Sequence, residues 1–497
     1  RLSVLGLRHA GARALHNPGM SKPATLMRHL IGLMAALTGA LALADSATLP
    51  PSVSAALAAA HIPAQSLSVL VTPADASAAP RLSHRAEVPM QPASVLKLVT
   101  TFAALDLLGP SYRWQTPVWL DGSIDPRQGV LKGHLVIQGQ GDPTLVLERL
   151  WLLLHRVQSL GVRRIEGDIV LDRQAFALPP SDPAAFDGEP LRPYNTAPDA
   201  LLINFKSLLL TFTPDPSSGV ARVQVDPPLA GLHSPATVPL APQRQSACGD
   251  YRAALKADFS DAGRIRLAGS YPLACGEKTW PVAYIDPPSY SARAIEGLWR
   301  SMGGQLSGRV RDGRAPDSPA TFAVSSAPLA EVIRDINKFS NNVMAQQLLL
   351  TLARTGSASE PATFEAGRAV IRRWWQERIG GDAPLIDNGS GLSRQDRISA
   401  QALTRLLQQA YASPTMSELM ASLPIAGIDG TLKRSQAEPG SAHLKTGSLR
   451  DVVALAGYVQ APQGRHWCLV AIVNHPDASA ARPVLEAVLD WTLHTAP

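Results

Sequence analysis

With 497 residues the chain is too long for one ordinary hydrophobic core, so two or three folding units are expected. Hydrophobic residues at 45% and charged residues at 17% exclude a disordered chain, and three cysteines exclude a disulfide scaffold and a cysteine-rich zinc site. The formal charge of +6 comes almost entirely from residues 1–44, which hold Arg1, Arg8, Arg13, Lys22 and Arg28 and no Asp or Glu. The remainder, at +1, lacks the clustered Lys and Arg that a non-specific nucleic-acid binder needs.

The first element in chain order is a leader. A basic stretch ending at Arg28-His29, an apolar run from Leu30 to Ala44 and the Ala42-Leu43-Ala44 triplet before Asp45 have the layout of a cleaved secretory signal peptide, with Met20 as a plausible start. The competing reading is an uncleaved membrane anchor, but the run is short of the ~20 residues that a span needs. An exported envelope protein, mature from about Asp45 and at most peripheral to the membrane, is therefore expected.

Ser66–Val71 alternates like a strand, with Arg85–Pro89 as a candidate hairpin partner. A helix is expected from Ser94 to Leu108, where Val95, Leu98, Val99, Phe102, Ala103 and Leu107 recur at helical spacing before Gly109-Pro110. From about Trp114 to Val324 short β-like runs alternate with Pro, Gly and Asp, interrupted by one clear helix near Leu147–Leu160. Helical texture returns at Leu329–Lys338, Asn342–Ala353, Phe364–Glu377 and Ala400–Tyr411. Strands are expected at His443–Thr446, Val452–Val459 and Trp467–Val473, and a last helix at Ala480–Leu493.

Strands at both ends with helices between them predict one discontinuous α/β domain, residues 45–113 plus 326–497. It is interrupted by a β-rich insertion, 114–325, within which a smaller unit is nested at about 141–228. Cys248 and Cys275 lie in that insertion and are free to pair in an oxidising compartment, whereas Cys468 sits in an apolar run as a buried thiol.

Three short motifs carry chemistry. Ser94-Val95-Leu96-Lys97 is the single S-x-x-K, and its spacing puts a hydroxyl and an amine on one helix face. By itself it reads more readily as a helix cap followed by a solvated lysine. Ser340-Asn341-Asn342 lies between two helical patterns and is also a natural N-cap. Lys445-Thr446-Gly447, the single K-T-G, sits on an edge-type strand. A lysine and a hydroxyl there suit a substrate carboxylate, and Gly447 would clear space for substrate backbone. The order S-x-x-K, S-x-N, K-T-G is that of serine acyl-enzymes of the penicillin-binding and β-lactamase type.

Beyond the motifs, the chain resembles class C low-molecular-mass penicillin-binding proteins, the D-alanyl-D-alanine carboxypeptidase/endopeptidases. The likeness extends to Gly139–Leu145, Gly167–Asp172, Gly389–Arg394 and Leu423–Leu432, and to the long gap between Ser94 and Ser340, which a β-lactamase lacks. The resemblance implies a transpeptidase-like domain, an antiparallel sheet flanked by helices, with two β-rich domains inserted between the first and second motifs. It assigns Ser94 as nucleophile, Lys97 as base, Ser340 and Asn342 as the second element and Lys445 as the carboxylate-side cation. Thr446, Gly447 and Ser448 would line the substrate strand, with the Ser94 and Ser448 N–H groups as oxyanion hole. Arg394, with Asp187 and Tyr194 from the insertion, would line a pocket for the acidic end of a stem-peptide side chain, and Cys248 and Cys275 match a family disulfide.

Two residues depart from the family pattern: Asn341 and Asn388 stand where Asp is commoner. The implied partners are peptidoglycan stem peptides and β-lactams, in the periplasm, without metal or organic cofactor. A β-lactamase or D-amino-acid esterase with the same three motifs, and an inactive wall-binding scaffold, are the competing readings. The absence of a G-x-S-x-G elbow and of H-E-x-x-H removes the α/β-hydrolase and zincin readings. Arg372-Arg373-Trp374-Trp375 reads as a half-buried helix face rather than a nucleic-acid patch.

Overall fold

A computed structural model describes residues 48–242, 247–356 and 360–494; the expected signal peptide lies outside the described residues. Segments distant in sequence build one five-stranded antiparallel sheet. Its strands are β1 (Leu67–Pro73), β2 (Leu82–His84), β3 (Ala442–Leu449), β4 (Val452–Gln460) and β5 (His466–Asn474), in the order β3-β4-β5-β1-β2. The central strands are apolar at nearly every position because both faces are covered. Along β4, Ala454, Ala456 and Tyr458 join one core cluster and Val453, Leu455 and Val459 the other.

Helices α1 (Lys97–Leu108), α2 (Leu329–Phe339), α3 (Asn342–Arg354) and α4 (Ala400–Tyr411) contribute to the first cluster; α5 (Arg482–His494) and the helix Pro51–Ala59 contribute to the second. Trp374 and Trp375 are buried in the first cluster while Arg372 and Arg373 are exposed. Cys468 is enclosed between β4 and α4 neighbours, and burial pushes its thiol pKa up, as expected of an unreactive sulfur.

Residues 115–325 carry three further sheets. A mixed seven-stranded sheet uses strands such as Gln115–Asp125, Val130–Gln138 and Ile169–Asp172; a four-stranded antiparallel sheet uses Ser207–Asp215, Val220–Asp226, Thr237–Pro239 and Lys278–Ala283; and Ala257–Asp261 pairs with Arg264–Leu267. One hydrophobic cluster, running from Val118 to Leu306, underlies them. Cys248 and Cys275 form a disulfide there.

Three sequence expectations are corrected. The hairpin partner of β1 is Leu82–His84, not Arg85–Pro89: Arg85 has φ 51°, a left-handed conformation that ends the strand. A second long helix, Pro287–Ser301, stands in the insertion, buried through Tyr290, Ala294, Ile295, Leu298 and Trp299. Its opening prolines are compatible with a first turn, whose N–H groups need no intrahelical acceptor. Ser94 does not open an α-helix: it lies on a 3-10 turn, Ala93–Leu96, that leads into α1 at Lys97.

Candidate active site

The turn bearing Ser94 is held in an unusual shape. Ala93 has φ 48°, and its N–H donates to Gln91 Oε1 at 2.8 Å while the Gln91 amide nitrogen donates to the Ser393 carbonyl. Two glycines let neighbouring strips close in. A Cβ on Gly391, at φ +79°, would stand 2.0 Å from the Ala93 carbonyl oxygen, and one on Gly447 would stand 2.7 Å from that of Pro92. Gly447 thus makes room for the nucleophile's own turn, a packing reason that the sequence reading, which gave the space to substrate, had not identified.

Lys97 is fully buried. Its Nζ lies 2.9 Å from Ser94 Oγ, 2.7 Å from Asn342 Oδ1 and 2.6 Å from the Ser390 carbonyl oxygen. Burial, and next the positive charge of Lys445, hold its pKa well below the ordinary lysine value; Asp396 acts in the opposite sense. Lys445, on edge strand β3, is also fully buried, and its Nζ donates to Ser340 Oγ at 2.9 Å and to the Thr446 carbonyl at 2.7 Å. Burial brings its pKa down to about 7. Thr446 Oγ1 meets Thr431 Oγ1 at 2.7 Å, so the 425–432 loop braces the K-T-G strand.

The second motif divides its labour. Ser340 takes a left-handed conformation, φ 56°, at the end of α2. Asn341, the departure from the family pattern, is the N-cap of α3, its Oδ1 accepting from Met344 N at 3.1 Å. Asn342 Nδ2 donates to the Tyr194 carbonyl at 3.0 Å. Asn388, the other departure, organises the Gly389–Leu392 turn: its Oδ1 accepts from Ser390 N and Ser390 Oγ, and its Nδ2 donates to the Leu392 carbonyl.

The structure therefore gathers Ser94, Lys97 and Asn342 into one hydrogen-bonded group and Ser340, Lys445 and Thr446 into a second, with Lys445 close enough for its charge to act on Lys97. Ser448 is exposed on β3 opposite Val453. Tyr194 reaches the first group through its backbone, while its hydroxyl donates to Asp187 Oδ2 at 2.8 Å. Arg394 is half-exposed, 2.5 Å from Asp451 Oδ1 and stacked 4.9 Å over the Phe186 ring.

Four participants escaped the sequence reading: the Ser390 and Tyr194 carbonyls, Thr431 and Asp396. Asp396 is fully buried, its Oδ1 accepts from Asp387 N at 2.8 Å, and burial first, then the Asp387 charge, raises its pKa to about 7. A cavity of about 720 Å³ lies between Asn195, Thr196 and Phe186 of the insertion and Gln346, Asn388 and Leu392, and none of Ser94, Lys97, Ser340, Asn342 and Lys445 lines it.

The family described as D-Ala-D-Ala carboxypeptidase 3 (S13) matches residues 49–494. A D-alanyl-D-alanine carboxypeptidase of an Actinomadura species is 30% identical over 414 residues, covering 78% of this chain and 74% of the relative. The D-alanyl-D-alanine carboxypeptidase DacB of Haemophilus influenzae is 26% identical, covering 78% and 80%. The crystal structure of penicillin binding protein 4 (dacB) from Haemophilus influenzae superposes with a TM-score of 0.68 at 23% identity, covering 88% of this chain and 98% of that one. Its complex with a β-lactam superposes with a TM-score of 0.64 at 22% identity. These likenesses show the fold.

Proposed function

Because the chain belongs to the D-Ala-D-Ala carboxypeptidase S13 family, we propose that it is a serine D-alanyl-D-alanine carboxypeptidase/endopeptidase of peptidoglycan, acting through an ester on Ser94. The observation that carries this reading is the placement of the fully buried Lys97 amine 2.9 Å from the Ser94 hydroxyl, with a second buried lysine close enough to depress its basicity.

A neutral Lys97 has two N–H bonds and one lone pair. Asn342 Oδ1 and the Ser390 carbonyl accept the two N–H bonds, which leaves the lone pair for the Ser94 O–H. As Oγ attacks the penultimate D-Ala carbonyl carbon, the hydroxyl proton passes to Lys97 Nζ. The Ser94 and Ser448 N–H groups stabilise the oxyanion. The C–N bond then breaks; Ser340, bridged to Lys445, gives its hydroxyl proton to the departing amine and regains one from the Lys97 ammonium, so that the terminal residue leaves and Lys97 is neutral again. Water then attacks the ester carbonyl, its proton passes to Lys97, and Lys97 returns that proton to Ser94 Oγ as the ester C–O bond breaks.

Lys445, as a cation, holds the terminal carboxylate, with Thr446 beside it. Arg394, Asp187 and Tyr194 face the stem-peptide side chain, and Arg394 must exchange Asp451 for that ligand. A β-lactam enters the same route and remains as the ester. Export through the leader at residues 1–44 would put the enzyme in the periplasm, against its substrate. In this reading residues 45–113 plus 326–497 are the peptidase domain and 114–325 the insertion.

The test is incubation of the purified protein with a stem pentapeptide, a cross-linked dimer and labelled penicillin, each followed by mass spectrometry. The expected results are loss of one D-Ala, cleavage of the dimer and a long-lived adduct on the Ser94 peptide. Rapid release of penicilloic acid would favour a β-lactamase, and absence of any adduct an inactive scaffold.

A further inference from the structure

The amide of Asn342 is bonded at both ends: its oxygen faces Lys97 Nζ at 2.7 Å and its nitrogen donates to the Tyr194 carbonyl at 3.0 Å. Rotating that amide by half a turn would oppose two carbonyl oxygens and point an N–H at the Lys97 nitrogen. That N–H would compete for the lone pair that must receive the Ser94 proton. Which way the amide points is therefore decided by a backbone oxygen of the inserted region.

The same strip is fastened to α3 a second time. Gln347, fully buried and five residues beyond Asn342, accepts from Asp199 N at 3.0 Å and donates to the Asp199 carbonyl at 2.9 Å. Five residues span about 7.5 Å of helix, so the two attachments fix both the register and the direction of the strip. Asp199 is anchored in turn by Lys206 at 2.8 Å and by Arg173. The turn at Pro193–Asn195 is shaped by Asn195 Nδ2, which donates to Asp187 Oδ1 at 2.8 Å and to the Glu189 carbonyl at 2.9 Å.

We propose that residues 194–199 are a positioning element of the catalytic centre: the Tyr194 carbonyl selects the amide orientation of Asn342 that leaves the Lys97 lone pair to Ser94, and the Asp199–Gln347 clasp keeps that carbonyl in register. The proposal rests on the acyl-enzyme reading and deepens it. It gives the insertion a role in the chemical step, through a main-chain atom.

The test is the pH profile of acylation by labelled penicillin in the full chain. Gln347→Met keeps the side-chain volume and removes both clasp bonds; the plateau rate should fall about tenfold. The charged groups facing Lys97 are Lys445 on β3 and Asp396 on the 387–398 segment, and neither is altered. With the amide free to turn its N–H toward Lys97, the ammonium is disfavoured and the acidic limb should move to lower pH. Simple loosening would instead admit water, relieve desolvation and move that limb to higher pH.

A wild-type plateau with a wild-type limb, or a limb moved to higher pH, would overturn the proposal. Should Gln347→Met fail to fold, Asn195→Ala decides: a fall of about threefold with the limb moved the same way supports it, and no change overturns it. Failure of the acyl-enzyme reading is separate, because the wild-type protein would then form no ester at all.

Discussion

Among the described residues four lysines are buried, and they fall into two kinds. Lys206 in the insertion lies 2.8 Å from Asp199, and Lys338 on α2 lies 2.5 Å from Asp429. Lys97 and Lys445 are buried more completely, yet among the described residues neither has a carboxylate within 4.0 Å. Their neighbours are hydroxyls, carbonyls and an amide. A buried cation with a carboxylate partner is a structural tie. Without one it is driven toward the neutral amine and becomes a base, or it waits for an anion that the substrate brings.

The difference can be broken by substitution, and the largest effect is expected at the base. Lys97→Met should slow acylation of Ser94 by labelled penicillin about 10³-fold while leaving the circular dichroism spectrum intact; a wild-type rate would remove the distinction between the two kinds. Next is Lys206→Met, which leaves the Asp199 carboxylate to Arg173 and the Leu201 N–H and should cost about 3 kcal/mol in urea unfolding.

Lys445→Met should act with the opposite sign. Removing an unpaired buried cation should raise stability by about 1–2 kcal/mol even as peptide turnover is lost. The folded pKa, about 7, lies below the ordinary 10.5, so the cost of the charge is full below pH 7 and fades as pH rises to 10.5. The gain of the variant should shrink over that window. The smallest effect concerns substrate capture by the wild-type enzyme. Above about pH 7 Lys445 loses its charge, and 1/KM for peptides ending in a carboxylate should fall by up to about tenfold per pH unit. On the acid side, kcat should fall as Lys97 becomes protonated.

Much of this arrangement was legible in the sequence, because the residues concerned advertise themselves by type and spacing. Ser94 and Lys97 are three apart, Ser340 and Asn342 bracket a helix cap, and Lys445 lies within an edge strand. Four strands of the sheet were readable from apolar runs such as Trp467–Val473, and Leu82–His84 was not. The contributions of Tyr194 and Ser390 were not legible, since any residue presents a carbonyl and only the fold decides where it points. A second reason for Gly447 was hidden in the same way: a Cβ there would meet the Pro92 carbonyl, a contact across more than three hundred residues. Pro287–Ser301 was hidden by its opening prolines and Arg85 by a backbone angle that its side chain does not announce.

The central claim is that Lys97 is a neutral amine when Ser94 attacks. Lysine-selective ¹³Cε NMR reads it directly, because the chain has nine lysines and Lys97→Met identifies the resonance. The account predicts that the Lys97 signal titrates well below 10.5, apart from the surface lysines. A Lys97 resonance that titrates with the surface lysines would contradict it.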